Sequence, residues 1–267
     1  MSDKTDRFIK KCLKGKPIDF CLVVDAHGHL GPDAHFTPPD TSVESVVAAM
    51  DRIGIDIHCV SANPGIYGYA YRANAIVEEA IRAYPDRIFG YMLPDDNVPD
   101  RIIPEFEKCL RAGFRGIKIW AGTGLPTRRY NHPHYKPAFE FAAANHLPVL
   151  THTWGEELDD LEPIIRQFPS VNLILAHAGS NQFDKYVRFA KEYPNVYLET
   201  CFSLSPRGMI EKFVRAGVVD KIVWGSDAIF MGAAQQIGRV LFADISPEDK
   251  EKILGLNARK ALNLASA

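Results

Sequence analysis

From Phe20 onward the chain alternates between short, almost wholly apolar runs and longer stretches with apolar residues at helical spacing. The runs are Phe20 to Asp25, Ile55 to Ala62, Ile88 to Leu93, Gly116 to Trp120, Pro148 to His152, Asn172 to His177, Asn195 to Thr200 and Lys221 to Ser226. They are rich in Val, Ile, Leu and aromatics with little polar alternation, which predicts strands buried on both faces, as in parallel sheets. Helices are predicted between them. One carries Ile76, Ala80 and Ile81, another Phe106, Cys109 and Leu110. The rest span Ser42 to Met50, Pro137 to Ala144, Leu158 to Phe168, Phe183 to Glu192 and Pro206 to Ala216. Thr41 or Ser42, Asn97 and Ser205 supply the capping signals that start three of them. Eight strand–helix repeats predict a (β/α)8 barrel. A doubly wound sheet is the competing α/β architecture. It wants a glycine-rich phosphate turn after the first strand, and Asp25-Ala26-His27-Gly28-His29 is not one. Residues 1–19 are expected to form an N-terminal helix and connector, and 233–267 the C-terminal helices. No stretch reads as a linker, so residues 1–267 are expected to be one domain.

Composition narrows the function without naming it. The 267 residues are 46% apolar and 24% charged, with a formal charge of -2. Nothing in that balance favours nucleic acid or an anionic membrane as a partner. No apolar run approaches the roughly 20 residues that span a bilayer. The polar stretch Met1 to Lys16 lacks the apolar centre of a secretory signal. Cys12, Cys21, Cys59, Cys109 and Cys201 are odd in number and form no Cys-x-x-Cys pair, which reads as reduced thiols and a cytoplasmic protein. A small-molecule substrate is expected, and a homo-oligomer is compatible with the sequence.

The chemistry lies where polar residues meet the apolar runs. His27 and His29 are two apart, so on an extended backbone both point the same way, as two ligands to one cation require. His152 and His177 end runs five and six, Asp227 follows run eight, and Lys118 interrupts run four. Taken singly, each has a plain structural reading: a cap, a satisfied imidazole, a snorkelling lysine. A barrel, however, brings the C-terminal ends of its strands together at one mouth, and the plain readings leave that coincidence unexplained.

The segments Asp25-Ala26-His27-Gly28-His29, Gly116-Ile117-Lys118-Ile119, Leu150-Thr151-His152, Leu175-Ala176-His177-Ala178-Gly179, Trp224-Gly225-Ser226-Asp227 and Leu254-Gly255-Leu256-Asn257-Ala258 resemble the amidohydrolase superfamily. Within it they resemble the amidohydrolase-2 group of amide and lactone hydrolases, hydratases and non-oxidative decarboxylases. The resemblance implies a divalent metal, with Zn²⁺ the first expectation, in one of two arrangements. In the single-ion form His27, His29, His152 and Asp227 hold the metal and His177 acts as acid/base or oxyanion partner. In the two-ion form His27, His29 and Asp227 hold one ion, His152 and His177 the other, and a carboxylated Lys118 bridges them. Asp227 is expected to move the proton of the attacking water, and Asp25 to orient a ligand.

Substrate contacts are read from position alone. Arg128 and Arg129, in a loop with Tyr130, His132 and His134, suit a carboxylate. Tyr67, Tyr69, Tyr71 and Arg72 follow run two, while His35, Trp154 and Phe230 are placed to line the mouth. His58 and His146 read as structural. The function expected is hydrolysis of a C–N or C–O bond in a small, carboxylated substrate. Decarboxylation of an unsaturated or aromatic acid at the same site is the alternative. DNA hydrolysis is disfavoured by the absence of a basic stripe, and a cysteine nucleophile at Cys201 by the lack of an assignable base.

Overall fold

The computed structural model describes residues 7–34, 37–121, 128–201 and 206–265. Eight parallel strands lie in the order of the sequence. They are β1 (Val24–Leu30), β2 (Ile57–Ala62), β3 (Ile88–Met92), β4 (Gly116–Ile119), β5 (Val149–Thr151), β6 (Leu173–Leu175), β7 (Val196–Glu199) and β8 (Ile222–Val223). After a short α1 (Arg7–Leu13), the connections are α2 (Val43–Ile53), α3 (Ala70–Ala83), α4 (Ile102–Arg111), α5 (Lys136–Asn145), α6 (Leu158–Gln167), α7 (Phe183–Glu192) and α8 (Met209–Arg215). Beyond β8 come α9 (Ala233–Leu241), α10 (Pro247–Glu251) and α11 (Asn257–Ala261). This is the (β/α)8 barrel that the alternation predicts. Ser42 caps α2, its side chain accepting from Ser45 N–H. Asn97 caps no α-helix: a single 3₁₀ turn, Pro99–Arg101, precedes α4. Ser205 lies outside the described residues.

The ring between β8 and β1 is closed by single backbone bonds rather than a ladder. Ala26 N–H donates to Trp224 O at 3.0 Å and Asp227 N–H to His27 O at 2.8 Å. Val24, Ala26, Cys59, Phe89, Tyr91, Leu150, Ile174, Ala176, Tyr197 and Val223 fill the barrel interior, with Ala258, Ala261 and Leu262 of the C-terminal helix packed on them. Outward residues such as Val60, Ile117, Ile119, Leu173 and Leu198 join the larger core shared with the helices. Strands buried on both faces explain why the runs carry so little polar alternation.

One difference from the sequence reading matters for the site. The first strand is not Phe20 to Asp25 but runs through both histidines to Leu30. Its register against β2 shifts between Asp25 and Gly28: three residues of β1 pass two of β2. Such a bulge inverts which residues face inward. Val24 and Ala26 face in below it. Above it His27 and His29 do, while Asp25 faces out toward His58, with Oδ2 2.9 Å from Nδ1.

The five cysteines are free. No described helix is long and apolar enough to cross a membrane.

Candidate metal centre and active site

Four strand ends and two left-handed turns build the site. Lys118, Glu199 and His27 are fully buried, and His29, His152 and His177 nearly or wholly so. His177 and Asp227 have φ of 57° and 56°, unusual for residues with a Cβ. The turn at His177 swings its ring inward directly after Ala176, which also faces in. Strain of this kind collects where the surrounding structure fixes a functional side chain.

The donor atoms converge as follows. Asp227 Oδ1 lies 3.2 Å from His29 Nε2 and 3.7 Å from His27 Nε2. Lys118 Nζ is 2.8 Å from His27 Nε2. On the far edge of the same ring, His27 Nδ1 is 2.9 Å from Glu199 Oε2. The rings of His27 and His177 are centred 5.1 Å apart, and those of His152 and His177 4.7 Å apart. His177 Nδ1 donates to Cys201 O at 2.9 Å, leaving its Nε2 unprotonated when the ring is neutral.

The buried atoms test the fit of a cation. His29 is fully buried with Nε2 3.2 Å from Asp227 Oδ1, and among the described residues neither its Nδ1 nor His152 Nδ1 has a hydrogen-bond partner. Orphaned buried polar atoms are costly unless something satisfies them. His27, His29 and Asp227 offer three ligand atoms within 4.8 Å of one another, and His27, His177, Glu199 and Cys201 offer four. His152 falls in neither group. Imidazoles with a carboxylate suit a divalent transition metal.

Burial keeps the imidazoles neutral and ready to ligate. It holds His27 and His152 well below the usual histidine value and His177 at about 4, with the Lys118 charge adding to the effect in each. Burial also lowers His29, although Asp227 opposes it. Burial alone would raise Asp227, but hydrogen bonding with His29 and the charges of His29, His177 and Lys118 outweigh it. The Lys118 amine is pulled down to about 8 by burial, against the pull of Asp227, Cys201 and Glu199.

Other expected residues fall nearby or elsewhere. Trp154 stacks on His177 with centroids 5.0 Å apart, Trp120 on His152 at 4.1 Å, and Phe230 lies 4.7 Å from His29. Asp25 Oδ1 accepts from Ser226 N–H at 2.8 Å and His27 N–H at 3.3 Å, tying the histidine strand to the turn that carries Asp227. Arg128 is paired with Asp96 at 2.8 Å and Arg129 with Asp160 at 2.6 Å. Each guanidinium thus has its own carboxylate rather than an open one to receive. Tyr67 donates to Asp33, while Tyr69 and Tyr71 are exposed and flank Arg72. His146 ends α5 in a left-handed turn. His35 and residues 122–127 lie outside the described residues.

Glu199 and Cys201 were not expected at the site. The signal was present, since Glu199 is an acid in an otherwise apolar run, just as Lys118 is a base in one. Burial pushes Glu199 up to about 8, opposed by hydrogen bonds from Cys201 and the His177 backbone.

A family model for amidohydrolases matches residues 24–264. The chain belongs to the amidohydrolase family. A search of curated proteins finds no match to it. Solved structures do resemble this amidohydrolase. A dihydroxybenzoic acid decarboxylase from Polaromonas, with bound manganese and the inhibitor 2-nitroresorcinol, is 19% identical, with a TM-score of 0.72 over 93% of this chain and 98% of that one. A probable 2-pyrone-4,6-dicarboxylic acid hydrolase from Acinetobacter baumannii, with citric acid bound, is 16% identical, with a TM-score of 0.70 over 91% and 99%. The 4-oxalomesaconate hydratase of Rhodopseudomonas palustris is 17% identical, with a TM-score of 0.69 over 91% and 96%. At these identities the amidohydrolase shares their fold.

Proposed function

We propose that the chain is a metal-dependent hydrolase that cleaves a C–N or C–O bond in a small, planar, carboxylated molecule. The observation that carries this reading is Asp227 Oδ1 standing 3.2 Å from His29 Nε2 and 3.7 Å from His27 Nε2, among buried ring nitrogens that lack partners. His27, His29 and Asp227 would hold the cation. When bound, a divalent ion lowers the pKa of water toward neutrality and polarises a carbonyl oxygen. Asp227 takes the proton of the attacking water at a carboxylate oxygen and returns it to the leaving group. His177, bonded through Nδ1 to Cys201 O, offers Nε2 as acid/base partner. Trp120, Trp154 and Phe230 face a flat substrate and exclude water, while Arg128 and Arg129 are left out because their own acids occupy them.

A single ion is the form proposed. His27, His29 and Asp227 make one donor group within 4.8 Å, while His152, a ligand in either expected form, stands apart from both groups. The two-ion form needs a carboxylated Lys118, and a lysine with a pKa of about 8 does hold some of the free amine that carbon dioxide attacks. Zn²⁺ is the ion proposed from the donor set. Manganese in the Polaromonas relative makes Mn²⁺ the other ion to test. The cytoplasm is the compartment proposed, on its free thiols.

Decarboxylation is the second reading, favoured by the aromatic walls. Turnover in ¹⁸O-labelled water decides between them. Label in the product supports hydrolysis; carbon dioxide release without label supports decarboxylation.

A further inference from the structure

We infer that Glu199 is a positioning residue: it fixes His27 as the Nδ1–H tautomer, so that the Nε2 lone pair is turned to the cation. The inference rests on the metal-dependent reading above. Glu199 is wholly buried at the end of β7, where a carboxylate stays only if its oxygens are satisfied. Donors surround it. Oε2 lies 2.9 Å from His27 Nδ1 and accepts from the Cys201 thiol at 3.0 Å and, more distantly, from His177 N–H at 3.4 Å. Oε1 accepts from Cys201 N–H.

The opposite edge of the imidazole gives the same answer independently. Lys118 Nζ, 2.8 Å from His27 Nε2, brings N–H donors, and a carboxylate brings only acceptors. With Glu199 ionised and Lys118 protonated, both neighbours are satisfied by the tautomer with the proton on Nδ1. The seat itself is made by Gly225, where a Cβ would stand 2.6 Å from Glu199 Oε1 and 2.7 Å from His27 Cβ. A carboxylate behind a ligating imidazole fixes the ring and raises its basicity, and removing such a partner costs roughly 10–100-fold in metal affinity.

The competing arrangement makes Cys201 a thiolate ligand, with His27 Nδ1, His177 and Glu199, to an ion on the inner side of the ring. The short His27–Glu199 bond argues for the proton there instead.

The test is a titration of chelator-stripped protein with Mn²⁺ and with Zn²⁺, alongside thermal unfolding to establish that each variant is folded. Glu199→Gln is expected to bind each ion roughly 10–100-fold more weakly. Cys201→Ser, which keeps a donor to Glu199, is expected to bind close to wild type. Unchanged affinity in Glu199→Gln overturns the inference, as does loss of an equivalent of Zn²⁺ in Cys201→Ser. Should Glu199→Gln not fold, ¹⁵N-histidine NMR of the metal-free wild type still decides. A protonated Nδ1 and a bare Nε2 on His27 are expected, and the reverse overturns the assignment. Wild-type protein that binds neither ion sinks the metal-dependent reading itself, an outcome distinct from equal binding by wild type and variant.

Discussion

Gly225 and Glu199 stand so close that the side chain missing from one makes room for the other: a Cβ at residue 225 would lie 2.6 Å from Glu199 Oε1. The backbone of Gly225, packed against that carboxylate and His27, cannot carry even a methyl group without a shift. Gly225→Ala is expected to destabilise the barrel by about 1–3 kcal/mol, the usual cost of overpacking. At roughly 2–4 °C per kcal/mol for a chain near this size, thermal unfolding reads that directly. An unchanged melting temperature would show that the carboxylate can sit elsewhere.

Asp227→Asn removes the proposed base while keeping an oxygen toward His29. Turnover is expected to fall by roughly 10²–10⁴, the range general acid/base groups supply, with metal content largely retained. A variant that turns over a confirmed substrate at the wild-type rate removes Asp227 from that role.

Metal analysis of protein purified without chelator is expected to find about one equivalent per chain, with Lys118 unmodified in intact-mass and density measurements. Chelation should abolish activity, and Zn²⁺ or Mn²⁺ should restore it. Two equivalents with a carbamate on Lys118 would instead establish the bridged pair.

Glu162, far from the site, sets an acid limit on stability. Hydrogen bonds from Arg188, at 3.0 Å to each oxygen, then from Tyr193 and Arg166, hold it at about 2 against an ordinary value of 4.5. A folded-state value below the unfolded one contributes stability that is complete above about 4.5 and lost as pH falls toward about 2. After screening at this partly exposed position, the contribution is about 1 kcal/mol. Glu162→Gln should therefore melt a few degrees below wild type at neutral pH, with the gap closing in acid. A gap that stays constant down to about pH 3 would contradict this.

Arg129→Ala is expected to leave KM unchanged, because Arg129 is largely exposed and already paired with Asp160. A rise in KM at unchanged kcat would return the residue to substrate binding.

Much of this was legible in the chain itself. Apolar runs spaced by helical patterns determined the barrel, because strands covered on both faces need nearly continuous hydrophobicity. His27, His29, His152, His177 and Asp227 stood out because polar residues at the ends of such runs must meet at one mouth. What the tertiary structure decided was finer. Only the register of β1 against β2 shows the bulge that turns His27 and His29 inward just after Ala26, since an extra residue in one strand leaves no trace in composition. Only packing pairs Arg128 and Arg129 with Asp96 and Asp160, because ion pairs between distant loops depend on where those loops come to rest. Glu199 joined the site for the same reason. An acid in an apolar run is visible in sequence, but that it meets His27 depends on β7 lying just beyond β8 from β1 in a ring that closes only in three dimensions.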